Sequence, residues 1–126
     1  MSTLKVATIQ YTSGNNSSTP NEVAQGRAKA WANFNGTGTV AIRDDYNVSS
    51  LTDNGTGDYT LTLTSATANV NGAAMVSGSR GAVPNTNFCR KSQITQLTTT
   101  TLRINTWDSA SSKEDHSHVT VALFGD

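Results

Sequence analysis

The sequence predicts an all-β fold, an antiparallel β-sandwich or small barrel, led by a short N-terminal arm and one short helix. Three observations carry that expectation. Apolar and polar residues alternate in short runs, most clearly in "GDYTLTLTS", where Tyr59, Leu61 and Leu63 face one way and Thr60, Thr62 and Thr64 the other. Such runs recur roughly every ten residues between Asn, Gly and Ser clusters, the spacing of sandwich strands. The 126 residues include 20 Thr, 14 Ser and 12 Asn, types that favour strands, turns and caps over long helices.

Residues 1–18 read as an extended arm and linker: Leu4, Val6, Ile9 and Tyr11 alternate weakly, and "TSGNNSS" is flexible by composition. Residues 19–126 form the sandwich domain. It opens on "TPNEVAQG", a helix near 20–25 with Thr19 as N-cap, Pro20 at the first position and Glu22 closing a capping box. Gly26 is the expected left-handed stop. "RAKAWANFN" then sets Ala28, Ala30, Ala32 and Phe34 against Arg27, Lys29, Trp31 and Asn33, and "GTGTVAIRDDY" supplies a turn and a strand through Val40 and Ile42. In "DNGTGDY", Asn54-Gly55 predicts a type I′ hairpin, because that turn needs positive φ at both central positions. Asp53 and Asp58 lack the closing Glu of a calcium loop and read as turn residues. "GAAMVSGSRG", "TTTTLRINTW" and "HVTVALFG" are further strands.

Apolar residues make up 35% of the chain and charged residues 14%, both below the usual share of a globular protein. A core this thin favours burial against identical chains. The formal net charge is zero and Lys and Arg are scattered, which disfavours nucleic acid as a partner. No apolar run is long enough for membrane insertion. The single cysteine, Cys89, excludes an intrachain disulfide framework. Asp44 and Asp45 are adjacent on a strand and so point to opposite faces, which prevents them from acting as a catalytic pair. No nucleophile elbow, P-loop, zincin motif or dinucleotide fingerprint is present, and with two histidines and two glutamates the acid–base inventory is poor. No enzymatic activity and no cofactor are expected.

The segment "QGRAKAWANFNGTGTVAIRDDYNVSSLTDNGTGDYTLTLTSA" resembles a domain of virion appendage proteins, the tail-fibre structural proteins of tailed bacteriophages, especially those of cyanobacteria. The blocks that carry the resemblance are residues 31–39 and 47–60, with "VTVALFGD" as the closing strand. The resemblance implies a homotrimer located in the virion and transfers no catalytic residues. With no shaft in 126 residues, attachment to other virion proteins is expected through residues 1–18.

The function expected from this resemblance is a short tail-fibre or fibre-tip subunit that contacts the host surface, with a surface glycan as the partner. The alternative is a head decoration or a baseplate or neck connector with no receptor-binding role. For receptor binding the candidates lie in the loops 70–92 and 107–118: Asn85, Asn87, Phe88 and Trp107, aromatic and amide groups that stack on and hydrogen-bond a sugar. "HSH" supplies the one metal expectation. His116 and His118 are two apart, so on a strand both imidazoles share one face, and three chains around an axis offer six nitrogens to a transition metal.

Overall fold

The computed structural model describes residues 2–9, 14, 17–81 and 91–125. Among the described residues one helix, α1 (Pro20–Gly26), precedes eight strands: β1 (Ala30–Asn35), β2 (Ala41–Tyr46), β3 (Val48–Gly55), β4 (Asp58–Leu63), β5 (Ala73–Ser79), β6 (Lys91–Leu97), β7 (Thr101–Trp107) and β8 (His118–Phe124). They form two four-stranded sheets, ordered β2-β1-β8-β5 and β3-β4-β7-β6, and every pairing is antiparallel. The arrangement is an open sandwich, since β5 runs beside β6 and β2 beside β3 without a hydrogen-bonded ladder closing either side.

The capping box forms as the sequence predicts: Thr19 Oγ1 accepts from the Glu22 amide, and the Glu22 carboxylate accepts from the Thr19 amide at 2.6 Å. Gly26, however, has no positive φ, and Arg27 continues in an extended conformation, so the helix simply unwinds into the approach to β1.

Among the described residues, the fully buried apolar core comes from the four inner strands. Ala30, Ala32 and Phe34 of β1, Tyr59, Leu61 and Leu63 of β4, Leu102 and Ile104 of β7, and Val119, Val121 and Leu123 of β8 are the buried apolar residues. Edge strands add only half-buried groups such as Ile42, Leu51, Val76 and Ile94. Where the small Ala30 and Ala32 face Leu61, Leu63 and Leu102, a gap of about 10 Å³ remains, no more than one water could fill. A thin apolar inventory is thus spent where both neighbours are strands, and it packs densely there.

Two turns differ from expectation. Asn54-Gly55 is not the tip of its hairpin: both lie within β3, Gly55 pairs with Asp58, and the connecting residues are Thr56 and Gly57. The register skips between Asp53 and Gly55, so Asn54 is a bulge, and its side chain turns to donate to Thr60 Oγ1 at 2.8 Å. The tight connection instead rests on Gly57, with φ of 61°. The strand β6 falls outside every run read as a strand in the sequence. Its register skips between Ile94 and Gln96, which sets its two inward apolar residues, Ile94 and Leu97, three apart and hides the two-residue period.

At the corner from β2 to β3 the chain passes between the sheets through one residue, Asn47, whose φ of 60° an asparagine tolerates. Its side chain fastens the corner, donating to the carbonyls of Lys29 and Ser65 at 2.9 and 3.0 Å and accepting from the Ser65 amide at 2.8 Å.

Tyr59 anchors one end of the sandwich. It is fully buried, its ring meets Phe34 edge-on at 5.3 Å, and its Oη lies 2.9 Å from both the Gly36 carbonyl oxygen and Asp115 Oδ1. Burial first, and the neighbouring Asp115 carboxylate second, push the phenol well above its ordinary range, so it stays a neutral donor. Gly36 leaves the space: a Cβ there would lie 2.5 Å from Tyr59 Oη and 2.9 Å from the His116 carbonyl oxygen.

Both partners of this contact are testable by urea denaturation. Gly36→Ala is expected to cost about 1–3 kcal/mol through overpacking against a rigid phenol. Tyr59→Phe is expected to cost about 1–2 kcal/mol by removing the single O–H that the Gly36 carbonyl and Asp115 Oδ1 share. A Gly36→Ala protein as stable as the parent would show that the end of the sandwich yields freely.

Candidate functional site: the polar face of the β3-β4-β7-β6 sheet

Alternation along β7 sends Leu102, Ile104 and Thr106 inward and Arg103, Asn105 and Trp107 outward. The register then builds the outer face row by row. Thr52, Thr60, Arg103 and Gln96 lie opposite one another across β3, β4, β7 and β6. Beside them run Gly55, Asp58, Asn105 and Gln93, and the last row pairs Trp107 with Lys91. Hydroxyls, amides, one carboxylate and three cations cover this face, with an indole at one end.

The loop between β7 and β8 folds back to make the face concave. Asp108 Oδ1 accepts from the amides of Ala110 and Ser112, both at 2.8 Å, and Ser111 takes a φ of 69°. Lys113 pairs with Trp107 in an isolated bridge, while the Glu114 amide donates to the Thr106 carbonyl and Thr106 Oγ1 donates to the Glu114 carbonyl at 2.6 Å. Lys113 is thereby aimed across the sheet. The open groove that results, of about 490 Å³, is lined by Asp58, Thr95, Gln96, Arg103, Asn105 and Lys113.

Asp58 is its fixed point. The carboxylate is 6% exposed and takes a two-pronged contact from Arg103, Nε to Oδ1 at 2.8 Å and Nη2 to Oδ2 at 2.9 Å, with Lys113 Nζ on Oδ2 at 2.6 Å. The Arg103 guanidinium, with help from Lys113, Asn105 and Asn54, holds this carboxyl far below the usual carboxylate range in spite of its burial. Asp58 therefore serves to orient two cations, a role that sequence reading missed when it assigned the residue to a turn. The separation of Asp58 from Arg103 and Lys113 by 45 and 55 residues leaves no local signal for the cluster.

Of the residues the sequence singles out, Trp107 lies at the end of this face, half-buried. Asn85, Asn87 and Phe88 lie outside the described residues. His116 and His118 do not share an outward face. His116 is fully buried, with Nε2 3.3 Å from the Trp107 carbonyl oxygen and 3.8 Å from Glu114 Oε2, and its ring covers the Cα of Gly78. His118 is half-buried, its Nδ1 3.2 Å from Ser117 Oγ. The strand begins only at His118, so its alternation does not reach back to residue 116. An imidazole enclosed within its own chain is closed to symmetry mates, which removes the basis for a six-nitrogen cage. Among the described residues, no three His, Cys, Asp or Glu side chains are grouped to hold a metal.

The outer face of the other sheet is different in kind. Tyr46, Trp31, Ala122 and Met75 lie directly opposite one another across β2, β1, β8 and β5. Tyr46, Trp31 and Met75 are 51%, 36% and 58% exposed, so among the described residues nothing covers this apolar row across the sheet.

No protein-family model and no curated protein matches the chain. Among solved structures it is similar to the tailspike of phage phiAB6, crystallised in complex with three-repeated oligosaccharides of Acinetobacter baumannii surface polysaccharide. The TM-score is 0.52 at 16% identity, over 75% of this chain and 19% of the tailspike. The likeness is one of fold, and the chain spans about a fifth of that protein's length.

The Asp58 cluster has a pH signature. In the unfolded chain Asp58 titrates at about pH 3.9, above its value in the fold. Its stabilisation is therefore complete above that pH and is lost as the pH falls below it. Asp58→Asn is expected to lower stability at pH 7 by about 2–3 kcal/mol, the range for a charge-assisted contact, and to flatten the decline between roughly pH 5 and pH 2. Parallel parent and variant profiles, measured by denaturant titration at each pH, would remove Asp58 from this role.

Proposed function

We propose that this chain is a virion structural protein of a tailed phage, a short tail-fibre or fibre-tip subunit that binds a host surface glycan on the outer face of the β3-β4-β7-β6 sheet. The observation that carries the reading is the concave polar face itself. Sugars offer dense hydroxyl groups beside apolar C–H faces. A lattice of Thr, Asn, Gln and Arg with an indole at its end meets both needs with side chains already held by the sheet. The tailspike likeness supports a place on the phage tail through fold, and the block pattern of residues 31–39 and 47–60 supports it through sequence.

In this reading the two faces divide the work. The apolar row of Tyr46, Trp31, Ala122 and Met75 joins copies into a homotrimer, since an uncovered stripe across a sheet favours burial. Residues 1–18 attach the trimer to the virion: Leu4, Val6 and Ile9 are exposed in the arm, and while Ile9 is bridged to Ser18, the stretch before it adds to a neighbour's strand edge. The chain acts by binding and not by catalysis.

Adsorption of the purified protein to host-cell polysaccharide tests the glycan site. Gln93→Ala combined with Gln96→Ala, both exposed, is expected to weaken binding about tenfold, as two lost hydrogen bonds imply, with unchanged melting. Full binding by that variant would place the glycan elsewhere, and no binding by the parent would favour the decoration or connector role. Sedimentation equilibrium tests assembly: the parent is expected as a trimer, and Trp31→Glu with Met75→Glu as monomer. A folded parent monomer at micromolar concentration would end the trimer reading. Deleting residues 2–14 is expected to spare folding and abolish incorporation into particles.

A further inference from the structure

The groove carries more positive charge than it neutralises. Arg103 and Lys113, 45% and 43% exposed, both end on the one carboxylate of Asp58. The groups lining the groove therefore sum to one net positive charge. Lys91, opposite Trp107 on the neighbouring strand, adds another, and among the described residues its Nζ meets the neutral Ser111 Oγ at 3.2 Å. Among the described residues no second carboxylate contacts Arg103, Lys113 or Lys91. The nearby acids are occupied elsewhere. Asp108 accepts from loop amides, Asp115 from Gly57 and Tyr59, and Glu114 pairs with Arg80 at 2.9 Å.

Geometry adds to the charge count. The guanidinium of Arg103 is held flat by its two bonds to Asp58, and its remaining N–H donors have no acceptor among the described residues. A planar fork with free donors, fixed in direction by a buried carboxylate, matches a second carboxylate in two-pronged fashion. Lys113 Nζ flanks the same position as a compact charge with donors to spare. Thr95, Gln96 and Asn105 line the rest of the groove with groups suited to hydroxyls.

We propose that the glycan this groove takes is acidic, a sugar bearing a carboxylate that sits against Arg103 and Lys113 while its hydroxyls meet Gln96 and Thr95. The inference rests on the glycan-binding reading and names the substrate class of that site. Binding is then partly electrostatic and weakens as salt screens the two cations.

The test is an array of neutral and acidic oligosaccharides, each acidic one printed beside its carboxyl-reduced counterpart, in which the carboxylate has become a primary alcohol. The full chain is expected to bind acidic members. Carboxyl reduction should cost about tenfold or more, the value of one charge-assisted contact, and 0.5 M NaCl should weaken binding further. Lys113→Gln is expected to lose a similar factor with Asp58 still paired to Arg103. If that variant melts early, Lys91→Gln replaces it, at the periphery and away from Asp58, with a smaller loss expected. Equal binding of acidic glycans and their reduced counterparts overturns the acidic assignment and leaves glycan binding intact. Binding to no glycan at all overturns both.

Discussion

The phenol of Tyr59 is the contact on which the architecture converges. Its Oη joins three parts of the chain that are distant in sequence: the β1–β2 turn through the Gly36 carbonyl, β4 through its own backbone, and the long loop before β8 through Asp115. Asp115 Oδ1 also accepts from the Gly57 amide at 2.7 Å, and the Gly36 amide donates to the His116 carbonyl. One buried hydroxyl thus organises both ends of two hairpins and the segment that returns the chain to the first sheet. Buried polar groups are costly unless they are hydrogen-bonded, and here the acceptors are the Gly36 carbonyl and the Asp115 carboxylate, with the missing side chain of Gly36 leaving room for the ring.

The polar face of the β3-β4-β7-β6 sheet inherits its shape from that anchor. Glu114 and Asp115 are fixed against Thr106, Gly57 and Tyr59, which fixes the direction in which the preceding residue, Lys113, leaves the loop. Without the fastening, Lys113 would be a solvated surface lysine of little energetic consequence. With it, two cations and one carboxylate stand in a defined arrangement over a rigid sheet. Rigid strands place side chains more reproducibly than loops do, and a site built across β4, β6 and β7 gains preorganisation at no further entropic cost.

Scarcity of large apolar residues has a second consequence. The inner strands β1, β4, β7 and β8 take the buried apolar groups, leaving the outer faces to be decided by what remains. One outer face is covered by Thr, Asn, Gln and charge, the other by a transverse row of Tyr, Trp, Ala and Met. Sheets in a sandwich have one face on the core and one outside, so an apolar outer row contributes nothing to the monomer's core.

Much of the fold was legible in the residues themselves. The two-residue period of "GDYTLTLTS" and "RAKAWANFN", and the capping box of Thr19 and Glu22, are local, because strand faces and helix caps are set by neighbours along the chain. Trp107 stood out for the same reason, an aromatic at a strand end in a polar loop, and the fold sets it at the end of the polar face. The rest needed three dimensions. A bulge at Thr95 hid β6 and a bulge at Asn54 moved the hairpin tip to Gly57, since bulges depend on the partner strand's register. His116 and His118 separated because one lies before the strand and the other begins it. Asp58, Arg103 and Lys113 meet only where β4, β7 and the returning loop cross, and an ion pair between distant segments leaves no period in a sequence. Sequence alone determined which side chains point together along each strand; only the packing of the two sheets decided which strands lie side by side, because that choice is made by long-range burial and hydrogen-bond satisfaction.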